Sequence, residues 1–171
     1  MSITFFSRKK EFRSLSNFWE KDITINGRVY ESGEHCFHGE KYTRLGHLYE
    51  NQKLIEYGKT FQKPSPYSVA TAKQKGGKKG LCLTIEQLKD WYQISIEVQQ
   101  EICKAKLQEQ EVLADLRKSG DKLLIHPAMR CSDEKVKGRI WEGRAISVDG
   151  EIVVLGGNML GKIWMDIRRT I

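Results

Sequence analysis

Long apolar runs are missing from this chain. No stretch approaches the roughly 18 consecutive apolar residues that a membrane-spanning helix needs, so no helical span and no membrane partner are expected. The opening MSITFFSRKK is short and turns basic too early for a secretory signal, which points to the cytoplasm. The four cysteines, Cys36, Cys82, Cys103 and Cys131, include no CxxC pair. Without a secretory signal they are expected as reduced thiols, and without paired ligands no zinc or other metal site is expected. His35, Cys36 and His38 lie close in sequence, but such a cluster reads as packing and surface. Repeats, linkers and shifts of composition are also lacking. Residues 1–171 are therefore assigned to one domain, a length sufficient for a real core.

What is present is an ordinary globular mixture, 39% hydrophobic and 30% charged, which excludes a disordered chain. The net charge of +7 attracts phosphates, nucleotides or nucleic acid, although solubility alone would also account for it.

The pattern along the chain is mostly helical. Ile3 to Ser7 reads as a strand. Asp22 to Ile25 and Arg28 to Glu31 flank Asn26-Gly27, a pair that tolerates the positive φ of a type I′ turn and so predicts a hairpin. Ser32 is positioned to cap a helix running to about Leu45. A second helix is expected over Tyr49 to Tyr57, ended by Gly58. A third is expected to start at Ser65-Pro66 and stop at Gly76-Gly77. Thr84 to Gln87 has capping-box spacing before a helix with Ile94, Val98, Ile102 and Ala105 on one face. Val112, Leu113 and Leu116 continue the helical pattern towards Gly120, and Lys122 to Ile125 reads as a strand. Ile146 to Val148 and Glu151 to Val154 flank Asp149-Gly150, a second hairpin. Asn158 is expected to cap a last helix with Leu160, Ile163, Trp164 and Ile167 turned inward. The fold class is α+β, predominantly helical, with small antiparallel hairpins.

Two charged residues on the first helix are candidates for chemistry. Glu34 and Lys41 are seven apart, almost two turns, so they share a face with their Cα atoms about 10 Å apart along the axis. Phe37 and His38 lie between them. Two long side chains of opposite charge in this register can converge on one small ligand; an ordinary solvated face has the same spacing. Gly76 to Gly80 reads GGKKG, which lacks the order of a P-loop and is either a flexible basic loop or a phosphate contact. The stretch Lys73 to Lys79 suits a nucleic-acid backbone. Gly156-Gly157-Asn158 precedes a helix, where backbone N–H groups either hold an anion or simply begin the helix. Trp91 is either core or a stacking surface for a base.

Several of these pieces together resemble the NADAR family, also called YbiA-like. Ser16-Asn17-Phe18, Gly27, and Glu34-His35 with Lys41 are similar to its opening motifs. Asp90-Trp91 and Ala105-Lys106-Leu107 are similar to its middle. The ending Gly157-Asn158-Met159-Leu160-Gly161-Lys162, followed by Met165 and Arg168, resembles its G-x-N-x-L-G-x-x-x-M-x-x-R signature. The resemblance spans nearly the whole chain in order. It departs between Leu123 and Leu155: Ile125 stands where a glutamate is usual. The basic stretch Lys135 to Arg139 separates Asp133 from Trp141-Glu142-Gly143.

The resemblance implies a YbiA-like fold and an N-glycosidase. Its substrate is a phosphorylated ribose compound, either ADP-ribose on guanine bases of nucleic acid or a phosphoribosyl-pyrimidine intermediate of riboflavin synthesis. The catalytic acid is then Glu34 and the lysine Lys41, acting as a Schiff-base nucleophile or as a phosphate clamp. Asp133 is the nearest match to the second acid, with Glu142 as its alternative. Asn17 and Asn158 are implied to hold ribose hydroxyls or phosphate, Trp91 to stack on a base or wall the pocket. Phe18, His35, Trp141 and Gly161 complete the implied substrate contacts. No cofactor is implied. A silent ADP-ribose or nucleic-acid binding module is the reading from a different class, and the intact Glu34 and Lys41 weigh against it.

Overall fold

A computed structural model describes all 171 residues. In chain order its elements are β1 (Ser2–Thr4), β2 (Glu20–Ile25), β3 (Arg28–Ser32), α1 (Gly33–Leu48), α2 (Gln52–Lys59), α3 (Val69–Lys75), α4 (Ile85–Lys106), α5 (Gln110–Lys118), β4 (Leu123–Ile125), α6 (Asp133–Lys137), β5 (Arg144–Val148), β6 (Glu151–Leu155) and α7 (Met159–Arg168). This is the expected α+β class, rich in helix. The chain forms two compact units, a central one, Asn17–Lys106, and a terminal one, Met1–Ser16 with Leu107–Ile171. No helix is long and apolar enough to cross a membrane.

The central unit begins with the β2–β3 hairpin. Asn26 (φ 50°) and Gly27 (φ 77°) both take positive φ, as a type I′ turn requires. Ser32 then starts α1, its Oγ accepting from the His35 N–H at 3.1 Å. The capping box at the start of α4 is reciprocal: Thr84 N–H donates to Gln87 Oε1 at 2.9 Å, and Gln87 N–H to Thr84 Oγ1 at 3.1 Å. Val98 and Ile102 on α4 join Tyr30, Tyr42, Leu45 and Phe61 in one apolar core. Each fully buried aliphatic side chain there contributes about 1.5–3 kcal/mol.

Two helix boundaries differ from the sequence reading. The second helix starts later, because Asn51 caps it by accepting from the Leu54 N–H at 3.2 Å. Gly58 sits inside its last turn rather than beyond it; a Cβ there would lie 2.5 Å from Thr43 Oγ1, so this glycine serves close packing on α1. The third helix starts at Val69, capped by Ser68, which accepts from the Thr71 N–H at 3.1 Å. Ser65 instead donates its hydroxyl to the Thr60 carbonyl at 2.8 Å.

In the terminal unit β1 pairs with β4 in parallel, an arrangement the hairpin-based reading did not anticipate. The β5–β6 hairpin turns at Asp149 and Gly150, φ 51° and 82°. In α7, Leu160, Ile163, Trp164 and Ile167 are all buried, and the Trp164 indole donates to the Leu15 carbonyl at 2.9 Å. The short α6 was not anticipated; its five residues hold too little apolar periodicity to signal a helix.

Candidate active site

The first turn of α1 is held from both directions. Ser32 caps it, and the Glu34 N–H donates to the Asn17 carbonyl at 2.9 Å. Asn17 is in turn fixed by a reciprocal amide pair with Gln99 of α4, its Nδ2 donating at 2.8 Å and its Oδ1 accepting at 3.1 Å. This anchoring sets the direction of the helix face that follows.

On that face three side chains form a line. Glu34 Oε1 meets His38 Nε2 at 2.8 Å, His38 Nδ1 meets Lys41 Nζ at 3.3 Å, and Lys41 Nζ donates to the Gly76 carbonyl at 2.5 Å. The spacings of four and three residues are those at which helix side chains are neighbours. Glu34 is the accessible end, its side chain 13% exposed, whereas Lys41 is 7% exposed. Sequence spacing brings Glu34 and Lys41 to one face; the structure inserts His38 between their charged groups.

Gly76, at the C-terminal cap of α3, makes this line possible. A Cβ at that position would stand 2.1–2.5 Å from the His38 ring. The first glycine of GGKKG is thus a packing requirement, and its carbonyl receives the Lys41 ammonium. Phe37 meets His38 edge-on at 5.5 Å and Trp91 at 5.0 Å, while Phe61 lies 6.1 Å from His38. These rings form an apolar back wall.

Burial dominates the electrostatics. It pushes the His38 pKa below the ordinary imidazole value, against the hydrogen bond and charge of Glu34, which act to raise it. It also pushes the Lys41 ammonium down to about 8, against the attraction of Glu34. A neutral His38 fits both contacts in a single tautomer: Nε2–H donates to the Glu34 carboxylate, and the Nδ1 lone pair accepts from Lys41. A protonated ring would turn an N–H towards the ammonium.

The other candidate residues divide clearly. His35 is buried, with Nδ1 at 2.7 Å from Ser32 Oγ and Nε2 at 2.8 Å from the Tyr67 carbonyl, so both ring nitrogens serve the fold. Asn17 has its amide engaged by Gln99. Trp91 is 4% exposed and packs into the core behind Phe37, a wall rather than an open stacking surface. Phe18 lies under the Lys73 ammonium at 5.7 Å.

The remaining candidates belong to the terminal unit. Asp133 is exposed and pairs with Arg144 at 2.7 Å, and Trp141 is half-buried. Glu142, the alternative acid, lies 3.7 Å from Arg139. Asn158 occupies the cap position of α7 but makes no side-chain cap bond, contrary to the sequence reading. Its Oδ1 accepts from the His126 N–H at 2.9 Å and its Nδ2 donates to the Leu124 carbonyl at 2.9 Å. The backbone of β4 and its successor take both polar atoms. Gly161 packs on the same strand; a Cβ there would lie 2.1 Å from the Leu124 carbonyl oxygen.

Sequence reasoning passed over His38 as a working residue, although its offsets of four from Glu34 and three from Lys41 were readable. It also missed an open groove of about 430 Å³ in the central unit, lined by Lys53, Glu56, Tyr57, Lys75, Lys79 and Leu81 among others. The ammonium groups of Lys53, Lys75 and Lys79 make no ion pair or hydrogen bond. The Tyr57 hydroxyl donates to the Lys75 carbonyl at 2.6 Å and fixes the end of α3, with Lys75 on it and Lys79 in the loop that follows.

No protein-family model matches the chain, and no curated protein does. Among solved structures it is similar to the NMR structure of the E. coli protein YbiA, with 22% identity and a TM-score of 0.63 over 99% of this chain and 86% of that one. The fold is therefore YbiA-like.

Proposed function

We propose that this chain is a NADAR-type N-glycosidase that removes ADP-ribose from guanine bases in nucleic acid, with residues 1–171 acting as one domain in the cytoplasm. The observation that carries the reading is the Glu34–His38–Lys41 line: an accessible carboxylate at one end and, at the other, an amine whose proton is loosened by burial. The motif resemblance and the YbiA-like fold support it. Four unpaired cysteines suit a reducing compartment.

Cleavage of an N-glycosidic bond develops positive charge on C1 and the ring oxygen of the ribose. A carboxylate near C1 stabilises that charge, or as an acid protonates the departing base. Glu34 fills this role. Lys41, with a pKa of about 8, has a substantial neutral fraction near physiological pH and suits attack on C1 with Schiff-base formation after ring opening. Asp133 keeps a secondary place as the second acid, with Asp133→Asn as its test. The reaction consumes only water and calls on no cofactor.

The groove bearing Lys53, Lys75 and Lys79 favours a polyanionic substrate over a free phosphoribosyl-pyrimidine, since three unpaired ammonium groups match a run of phosphates. The deciding experiment offers DNA carrying ADP-ribosylated guanine and, separately, the free pyrimidine intermediate. Release of ADP-ribose from DNA is the expected result. Turnover of the pyrimidine alone moves the substrate assignment, and turnover of neither overturns the enzyme reading. Borohydride added during turnover leaves an adduct on Lys41 if the lysine is covalent. If no adduct forms and Lys41→Arg stays active, the lysine is an electrostatic clamp.

A further inference from the structure

We propose that His38 carries a proton between Glu34 and Lys41, so that the three side chains form one acid–base unit whose carboxylate and amine change protonation together. This rests on the reading of the site given above and adds a residue and a step to it.

The geometry supplies the path. Glu34 and Lys41 make their contacts to opposite nitrogens of one imidazole, at 2.8 Å and 3.3 Å. In the resting arrangement Glu34 is a carboxylate, His38 carries its proton on Nε2, and Lys41 is an ammonium. Lys41 gives a proton to Nδ1, and Nε2 gives its proton to Glu34 Oε1. One N–H bond breaks and one forms at the Lys41–His38 contact; one N–H breaks and one O–H forms at the His38–Glu34 contact. The result is a neutral amine, a neutral imidazole in the opposite tautomer and a carboxylic acid. Total charge is unchanged and no co-reactant enters.

That product state is the one glycoside cleavage needs. The Glu34 acid protonates the base nitrogen as the C1–N bond breaks and its electron pair leaves with the base. That donation leaves Glu34 a carboxylate; the free amine, or water, then adds to C1, and Glu34 takes up the proton it sheds.

The surroundings keep the ring in its relay state. The charged groups facing His38 are Glu34 and Lys41 on α1 and Lys73 on α3. Both lysines disfavour an imidazolium, and burial acts the same way. Phe37 and Phe61 contribute uncharged surface, and Gly76 closes the ring from the side at a distance no other residue permits. A ring whose side chain is only 11% exposed exchanges protons with its two neighbours rather than with water.

Two measurements decide the matter. His38→Gln keeps a donor and an acceptor at this position, but an amide does not interchange them as an imidazole does. The relay predicts at least a tenfold loss of kcat with KM within about threefold. Wild-type kcat in His38→Gln overturns the relay and leaves the glycosidase reading intact. The second measurement needs no substrate. The ¹⁵N spectrum of the imidazole in the full chain is expected to show the Nε2–H tautomer at pH 7. Its Nδ1 resonance is expected to move in the interval where Lys41 loses its proton, and not to do so in Lys41→Met. An Nδ1–H tautomer, or a resonance indifferent to Lys41→Met, overturns the relay even if no glycosidase activity is found.

Discussion

Glu34 and Glu40 lie six residues apart on α1 and meet opposite surroundings. Glu40 is fully buried and saturated: Arg28 binds both its oxygens at 2.8 Å, Arg44 adds bonds at 3.1 and 3.2 Å, and the Tyr30 hydroxyl donates at 2.5 Å. Burial alone would raise its pKa, but the bonds from Arg28 and Tyr30 and the charges of Arg28 and Arg44 outweigh it and hold the carboxyl below its ordinary value. Glu34 has a neutral ring, His38, against one oxygen, with Lys41 on the far side of that ring. A charge held directly by two guanidinium groups and a phenol is a fixed point of structure. One linked to a cation through a ring that can exchange protons is free to change state, and this division separates the two faces of α1.

Four experiments sharpen or break that division. The largest effect is expected at Glu40. Glu40→Gln leaves Arg28 and Arg44 without their carboxylate, and breaking such a buried pair costs about 3–5 kcal/mol; chemical denaturation should show this loss. If the midpoint hardly moves, the saturated face is not structural.

Glu34→Gln comes next and should behave in the opposite way. Its denaturation midpoint stays near the wild-type value, while turnover falls by more than about tenfold, the equivalent of losing about 2 kcal/mol or more of transition-state stabilisation. A smaller drop removes Glu34 from the reaction.

The third experiment concerns Lys41 and pH. Its folded pKa of about 8 lies below the ordinary lysine value, so between these limits the unfolded chain binds more protons than the folded one. Stability from this group therefore rises with pH across that window and is lost as pH falls through it, by up to about 1.4 kcal/mol per pH unit. Lys106, also lowered to about 8 by burial, adds a rise of its own, while the buried Tyr30, Cys36 and Cys103, raised by desolvation, pull the other way. The comparison of wild type with Lys41→Met isolates the one group: the slope difference should vanish below about pH 7.

The smallest effect concerns the groove. Replacing Lys53, Lys75 and Lys79 by Gln should leave the fold intact and weaken binding to DNA. The slope of log affinity against log salt should fall by about 2–3 if each lysine neutralises one phosphate. An unchanged slope would return the +7 charge to solubility.

Much of this molecule could be read from local signals. Asn26-Gly27, Asp149-Gly150, Ser32 and Thr84–Gln87 each specify their structure within four residues, and each appears as read. The parallel pairing of β1 with β4 was not legible, because strands whose paired residues lie 121 positions apart carry no mark of their partner. The same holds for the site. The Glu34/Lys41 face follows from helical period, but the Gly76 carbonyl that receives Lys41 comes from another helix, and the Asn17–Gln99 pair spans 82 residues. Glycine in GGKKG looked like flexibility because the sequence does not reveal that a histidine ring lies against it.

Asn158 has a consequence for how motifs are interpreted. The position asks three things of one side chain: a donor for Leu124, an acceptor for His126, and tolerance of φ 45°. Aspartate lacks the donor, serine falls short, glutamine overreaches, and glycine offers the backbone but no amide. Selection for folding alone would hold such a residue as firmly as selection for catalysis, and Gly161 beside it is constrained by the same strand. A signature built around this asparagine therefore certifies an architecture. A descendant that lost all chemistry would keep it, and only Glu34, His38 and Lys41 can speak for an active enzyme.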